Sequence, residues 1–389
     1  MKPVAFYSRN WISGLTVLML LSLFLSASAA SVSANPPPVQ TFYVPFPEEQ
    51  VLQSLQSMIY LPIIIGLLPL PQECPPPDGC PVDGVHTLKG IAVDESRDHL
   101  YITSQGNNRL VKVDASTVTT LGQVPTNEEP WGVAVDAADR RVYVSNYASG
   151  DVWVYDADSL ERLAQIPVGG NPGLMAILPE LDVVMVVVGE GSRVAVIQGT
   201  ELVQTLSAIG SGPYGIAADP VGNQFFISNR DTGHLVAYVQ DGVTDGSRWV
   251  RVTGPVLNDG RTLFHMAYNP DNQKLYVVYG RPSGEWFVDV WKADVGNVWG
   301  LIFTIPVGNG GDLGSPLVGG SGIGVNRTTA NLFNVNTAAA NMTVINGTTN
   351  GIRDVIALGQ DPFALAVDES RSIIYVGLRS SARLVKVMD

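Results

Sequence analysis

The sequence predicts an all-β ring of seven four-stranded blades, a seven-bladed β-propeller, and three observations predict it. The hexapeptide Ala92–Arg97 recurs letter for letter as Ala366–Arg371, an offset of 274 residues. The same offset carries Arg109–Asp114 onto Arg383–Met388 with only the last residue changed. Between these copies a small residue in a short apolar run recurs at Ala92, Ala134, Ala176, Ala217, Ala267, Gly324 and Ala366, at intervals of 42, 42, 41, 50, 57 and 42 residues. A fixed period of about 40–45 residues, each holding several short strands, is that of a propeller blade.

Taken in order, residues 1–30 read as a secretory signal peptide. Lys2 and Arg9 give a basic start, Ile12–Leu25 an apolar run, and Ala27-Ser28-Ala29 the small residues of a cleavage site. Residues 31–83 form a proline-rich N-terminal segment. In it, Glu48–Met58 has helix-compatible spacing, and the Ile63–Leu68 run is too short to span a bilayer. Cys74 and Cys80, the only cysteines, are expected to form a short-loop disulfide in an oxidising compartment. Residues 84–389 are the propeller.

Each propeller unit repeats one order of events. In the second unit, Gly132–Asp136 is a first strand, Val142–Asn146 a second, Asp151–Tyr155 a third and Arg162–Val168 a fourth, with polar or Gly/Pro turns between. Stacked blades cover both faces of the inner strands, which accordingly read as continuous apolar runs such as Val183–Val188. The seventh unit ends at its third strand, so its fourth must come from the N-terminal side. Val82–Leu88 and the Ile63–Leu68 run both qualify.

The second strands carry a family likeness. Val142-Tyr143-Val144-Ser145-Asn146 and Phe225-Phe226-Ile227-Ser228-Asn229 resemble the YVTN-type propeller repeat, and Gly212–Ala217 resembles the blade openings of NHL-type and streptogramin-lyase-type propellers. The resemblance implies the fold over about 300 residues. It says little of function, because one propeller frame serves enzymes, binders and scaffolds.

Composition narrows the partners. Without residues 1–30 the chain has 21 basic and 36 acidic residues, a net charge of −15. With no basic run, that balance disfavours nucleic acid. The expected partner is instead an extracellular protein, peptide or carbohydrate, met outside the cytoplasm or in a periplasm. No cofactor is expected. Neither a Gly-x-Ser-x-Gly elbow nor a phosphate-binding loop occurs, and the four histidines show no ligand-like spacing. The favoured function is therefore a non-enzymatic binding module. The alternative is a metal-dependent lactonase- or lyase-like enzyme, with a divalent ion near His265, Glu129 or Asn229.

Both readings place the site at the channel mouth, where loops enter first strands and join second to third strands. Three residues before the small anchors stand Lys89, Trp131, Gly173, Tyr214, Phe264, Ser321 and Phe363. Trp131, Tyr214, Phe264 and Phe363 make a partial aromatic collar that either stacks on a ligand or wedges the blades apart. Asn146 and Asn229 end second strands, as ligand contacts or turn caps. Asp94, Asp136, Asp219, Asn269, Asn326 and Asp368 lie at the opposite face, where turn capping accounts for them. Trp249, Trp286, Trp291 and Trp299 fall in or near the two enlarged units and would mark an interface if exposed.

Overall fold

The computed structural model describes residues 73–207, 210–240, 249–257, 259–293, 299–311 and 322–389. The signal segment, most of the proline-rich segment and the Ile63–Leu68 run lie outside them. Among the described residues are seven four-stranded antiparallel sheets, a seven-bladed β-propeller. No described helix is long and apolar enough to cross a membrane. Blades 1 to 6 are continuous in sequence, their first strands being Leu88–Asp94, Pro130–Asp136, Pro172–Leu178, Pro213–Asp219, Thr262–Asn269 and Ile323–Asn326.

Blade 7 is composite. Its first three strands are Pro362–Asp368, Ile373–Leu378 and Arg383–Met388, and its outermost is Cys80–Pro81. Cys80 pairs with Leu384 and Pro81 with Arg383. The Lys386 amide donates to the Cys74 carbonyl at 2.7 Å, and the Val82 amide to the Ala382 carbonyl at 3.1 Å. The closing strand is thus neither of the two expected segments, since Leu88 opens blade 1 and pairing lies one step earlier than Val82. A Cys74–Cys80 disulfide holds the loop in shape. Gly79, at φ +59°, brings its backbone against the carbonyl of Leu384, an approach that any side chain would block.

The second strands explain why their motif is structural. Val183–Val188 is buried at every position, as stacking on both sides requires. The second-strand tyrosine reaches the third-to-fourth-strand turn of the next blade. Tyr101 donates to the Ala157 carbonyl (2.7 Å), Tyr143 to Gly199 (3.0 Å), Tyr276 to Gly347 (3.4 Å), and Tyr375 in blade 7 to Ala115 in blade 1 (3.2 Å). Two residues further on, Thr103, Ser145 and Ser228 donate to the carbonyls of Trp131, Gly173 and Phe264 in the following first strand. Each such bond contributes about 1 kcal/mol and satisfies a buried hydroxyl. These second-strand residues therefore latch blade to blade.

The opposite face is built by capped turns. Asp94, Asp136, Asp219, Asn269, Asn326 and Asp368 each accept from a backbone amide two or three residues on. In all seven blades the residue before the second strand is left-handed without being glycine: Asp98, Arg140, Asp182, Asn223, Gln273, Ala330 and Ser372. That conformation costs a β-carbon about 1–2 kcal/mol, so the buried caps offset strain that the turn imposes. The tryptophans of the enlarged units return to packing. Trp249, Trp286 and Trp291 are buried, and Trp299 packs on Phe226 at 5.0 Å.

Candidate functional site at the channel mouth

Two cavities meet at the mouth. The central channel encloses about 190 Å³ between first strands, lined by apolar residues with Lys89 and His265. A second cavity, about 260 Å³, opens on the rim above blade 3. Its side walls are Trp131 and Tyr147 from blade 2 and Tyr214, Arg230 and Asp231 from blade 4. Leu174 and Val187 line it as well, together with Gly173 and Gly189 of blade 3.

The repeat explains this notch. In three blades the rim residue three before the anchor is backed by a residue thirteen after it. Trp131 stacks on Tyr147 with centroids 5.0 Å apart, Arg230 lies 5.9 Å from the Tyr214 ring, and Arg379 lies 4.8 Å from the Phe363 ring. In blade 3 both positions are glycine. Neither needs to be: both have ordinary φ, and an added β-carbon would meet nothing closer than 3.6 Å at Gly173 or 3.7 Å at Gly189. Gly132 and Gly215 differ. There a β-carbon would meet the Gly173 carbonyl oxygen at 2.6 Å and run into the Phe264 carbonyl, respectively. Packing demands glycine at 132 and 215, whereas Gly173 and Gly189 leave open space.

The collar thus divides. Phe264 and Phe363 are buried as inter-blade wedges, Phe264 against Tyr214 of blade 4 with ring centroids 5.7 Å apart. Trp131 and Tyr214 are wedges that also wall the notch. Lys89 projects between blades, its ammonium 4.1 Å from the Trp131 ring centre and 4.6 Å from that of Phe363. Burial and the nearby Arg379 cation pull its pKa down to about 8, partly opposed by Asp361 and Glu129. Arg379 forms a two-point ion pair with Asp361, at 2.9 and 2.7 Å.

His265 sits in the channel with its ring edge-on to Tyr214 at 5.3 Å. Burial alone brings its pKa down to about 4, so it is neutral over the ordinary pH range. Its Nδ1 has no hydrogen-bond partner. Burial raises the pKa of the Tyr214 phenol, whose hydroxyl also lacks a partner. Glu129 is exposed on the rim at φ +53°. Asn146 and Asn229 are fully buried. The Asn146 amide donates to Asp151 at 2.9 Å, and that of Asn229 to the His234 carbonyl at 3.3 Å. Both hold second-to-third-strand turns, and neither lines the notch.

Among the described residues, one group of acidic side chains has metal-like spacing. Asp136, Asp139 and Asp182 bring carboxylate oxygens within 4.8 Å of one another on the opposite face. Arg141 already bonds Asp139 at 3.2 Å and Asp182 at 2.6 Å. His265, Glu129 and Asn229 are not part of it. Tyr147, Gly189, Arg230 and Asp231 are among the site residues that the sequence reading missed. Their only signal was position: Tyr147 and Arg230 each follow a strand-ending asparagine.

Comparison with solved structures supports the frame. Hydrazine synthase from Kuenenia stuttgartiensis is similar over 79% of this chain and 97% of that one, with a TM-score of 0.66 and 17% identity. A functionally unknown protein from Desulfotomaculum acetoxidans is similar over 72% of this chain and 90% of its own, with a TM-score of 0.58 and 15% identity. At such identities the likeness is one of fold. No protein-family model and no curated protein matches the chain.

Proposed function

We propose that the protein is a non-enzymatic binding propeller that works outside the cytoplasm and takes its ligand in the rim notch above blade 3. One observation carries the reading. The rim is filled by stacked side chains in neighbouring blades and left empty at Gly173 and Gly189, where neither conformation nor packing calls for glycine. An open pocket lined by aromatic rings and a few polar groups is the usual form of a small-ligand site. The N-terminal signal-like segment and the Cys74–Cys80 disulfide support export. The YVTN-like second strands fit a scaffold, since their tyrosines and hydroxyls serve the blade contacts. Among the described residues, the one acidic group with metal-like spacing, Asp136, Asp139 and Asp182, lies on the opposite face and lends the metal-dependent lactonase or lyase alternative no support at the mouth.

Screening the folded protein by calorimetry against extracellular peptides and glycans tests the proposal. Gly173→Trp fills the notch and should abolish binding of any hit while leaving the melting temperature within about 2 °C. A hit that binds this variant unchanged places the ligand elsewhere.

A further inference from the structure

The turns on the face opposite the mouth repeat one ion pair, and blade 2 breaks it. Two residues after the anchor the cap is Asp94 in blade 1, Asp136 in blade 2 and Asp368 in blade 7. In each, Oδ1 accepts from backbone amides. All three carboxylates are buried, so Oδ2 needs a partner too. Blades 1 and 7 supply one three residues further on. Arg97 reaches Asp94 Oδ2 at 2.9 Å, and Arg371 reaches Asp368 Oδ2 at 2.6 Å. In blade 4, Gln224 serves Asp219 Oδ2 in the same way at 2.8 Å. Arg371 also bonds Asp98 on the turn of blade 1, so a single cation ties two blades together.

Blade 2 carries a carboxylate where that cation belongs. The residue in the place of Arg97 and Arg371 is Asp139, and the blade 3 counterpart of Asp98 is Asp182. Asp136, Asp139 and Asp182 therefore meet with oxygens within 4.8 Å of one another. Asp136 is fully buried and its Oδ2 has no hydrogen-bond partner. Among the described residues it is the one buried carboxylate oxygen in that state. Burial first, then the charges of Asp139 and Asp182, raise its pKa against the pull of two backbone amides. Arg141 bonds Asp139 and Asp182, and Arg140 turns away to Asp158 at 3.3 Å. Three carboxylates against the one guanidinium of Arg141 leave a charge of −2 around the orphaned oxygen.

We propose that Asp136, Asp139 and Asp182 bind a calcium ion, which stands in for the blade 7 arginine and ties blade 2 to blade 3. A divalent cation cancels the local charge and gives Asp136 Oδ2 its partner. Two oxygens bound to calcium at about 2.3–2.6 Å stand up to roughly 5 Å apart, a span the cluster meets. Calcium accepts several carboxylates in loose geometry, whereas magnesium keeps most of its waters. Asp139 is exposed and Asp182 half-buried, so the ion reaches the site from solvent. The site stands apart from the notch and does not depend on what the notch binds.

The test is calorimetry of the full-length protein, stripped of metal by chelator, with calcium chloride and separately with magnesium chloride at constant ionic strength. One calcium per chain is expected, with a Kd of about 10⁻⁴–10⁻³ M and at least ten-fold preference over magnesium. The melting temperature should rise by about 2–4 °C in roughly 10 mM calcium. Asp139→Arg rebuilds the blade 7 arrangement. It should melt at or above the metal-free parent and lose the calcium signal. Asp182→Asn, which suits the left-handed backbone there, should weaken calcium about ten-fold. No saturable calcium binding by the parent overturns the proposal. Calcium binding that Asp139→Arg leaves unchanged also overturns it, because the ion is then held elsewhere. Equal affinity for the two metals overturns the choice of calcium. Should Asp139→Arg fail to fold, undiminished binding in Asp182→Asn overturns the site.

Discussion

Blades 3 and 4 carry glycine at neighbouring repeat positions of their first strands for opposite reasons. Gly215 in blade 4 is a packing glycine. Its amide donates to the Ser228 hydroxyl at 2.9 Å, and the Phe264 backbone of blade 5 lies where its side chain would be. Gly173 in blade 3 has room for a side chain and ordinary backbone angles. The comparison separates two layers in one repeat. The latch of hydroxyls and carbonyls between blades is under steric constraint, whereas the rim above it is free to carry a ring, a cation or nothing.

The sharpest break would be Gly215→Ala, which drives a methyl into a backbone carbonyl. It should cost about 3 kcal/mol or more by denaturant titration. A loss below 1 kcal/mol would show that blade 4 is no tighter than blade 3 there. Losing the disulfide in Cys74→Ser with Cys80→Ser should cost about 2–3 kcal/mol, read as a lower midpoint, because the loop it closes carries the blade 7 seam.

Lys89 sharpens the picture of the rim through pH. Its folded pKa, near 8, lies below the 10.5 of the unfolded chain. Between these values the unfolded chain holds a proton that the folded one has released, so stability from this group rises with pH and is least below pH 8. Lys89→Met should remove that rise, a difference of at most about 3 kcal/mol between pH 7.5 and 10.5 when each protein is compared with itself. A parallel response of the two proteins would contradict the buried placement. The smallest effect belongs to Gly173→Ala, expected within about 0.5 kcal/mol of the parent. A loss comparable to that at Gly215 would erase the contrast and with it the notch as a free position.

Much of the frame was legible because it repeats. Seven anchors fixed the blades, and the turn carboxylates and asparagines read correctly as caps since Asx residues at strand ends act within two or three residues. The closing strand escaped notice for a physical reason. Cys80–Pro81 has no strand signature of its own and pairs because Arg383 and Leu384 offer an edge, with the Arg383 guanidinium donating to the Asp78 and Gly79 carbonyls at 2.6 and 2.7 Å. The site was half legible. Periodicity placed Trp131, Tyr214, Phe264 and Phe363 on one rim, yet whether a ring is a wedge or a wall depends on what its neighbours leave uncovered. The gap at Gly173 and Gly189 consists of missing side chains. It becomes a cavity only when blades 2 and 4 stand on either side, and the strand-ending asparagine before Arg230 does not by itself mark it as a lining residue.

The composite seventh blade also sets a schedule. Gly79 waits for Arg383, 304 residues later, before the ring can shut. A contact between the first and last parts of a chain is the slowest kind to form. Until Arg383–Met388 has been made, the nascent protein is an open arc whose seventh blade has a bare edge, and bare edges recruit other strands. Removal of the Arg383–Met388 strand would make that arc permanent and should be felt as aggregation of the whole chain.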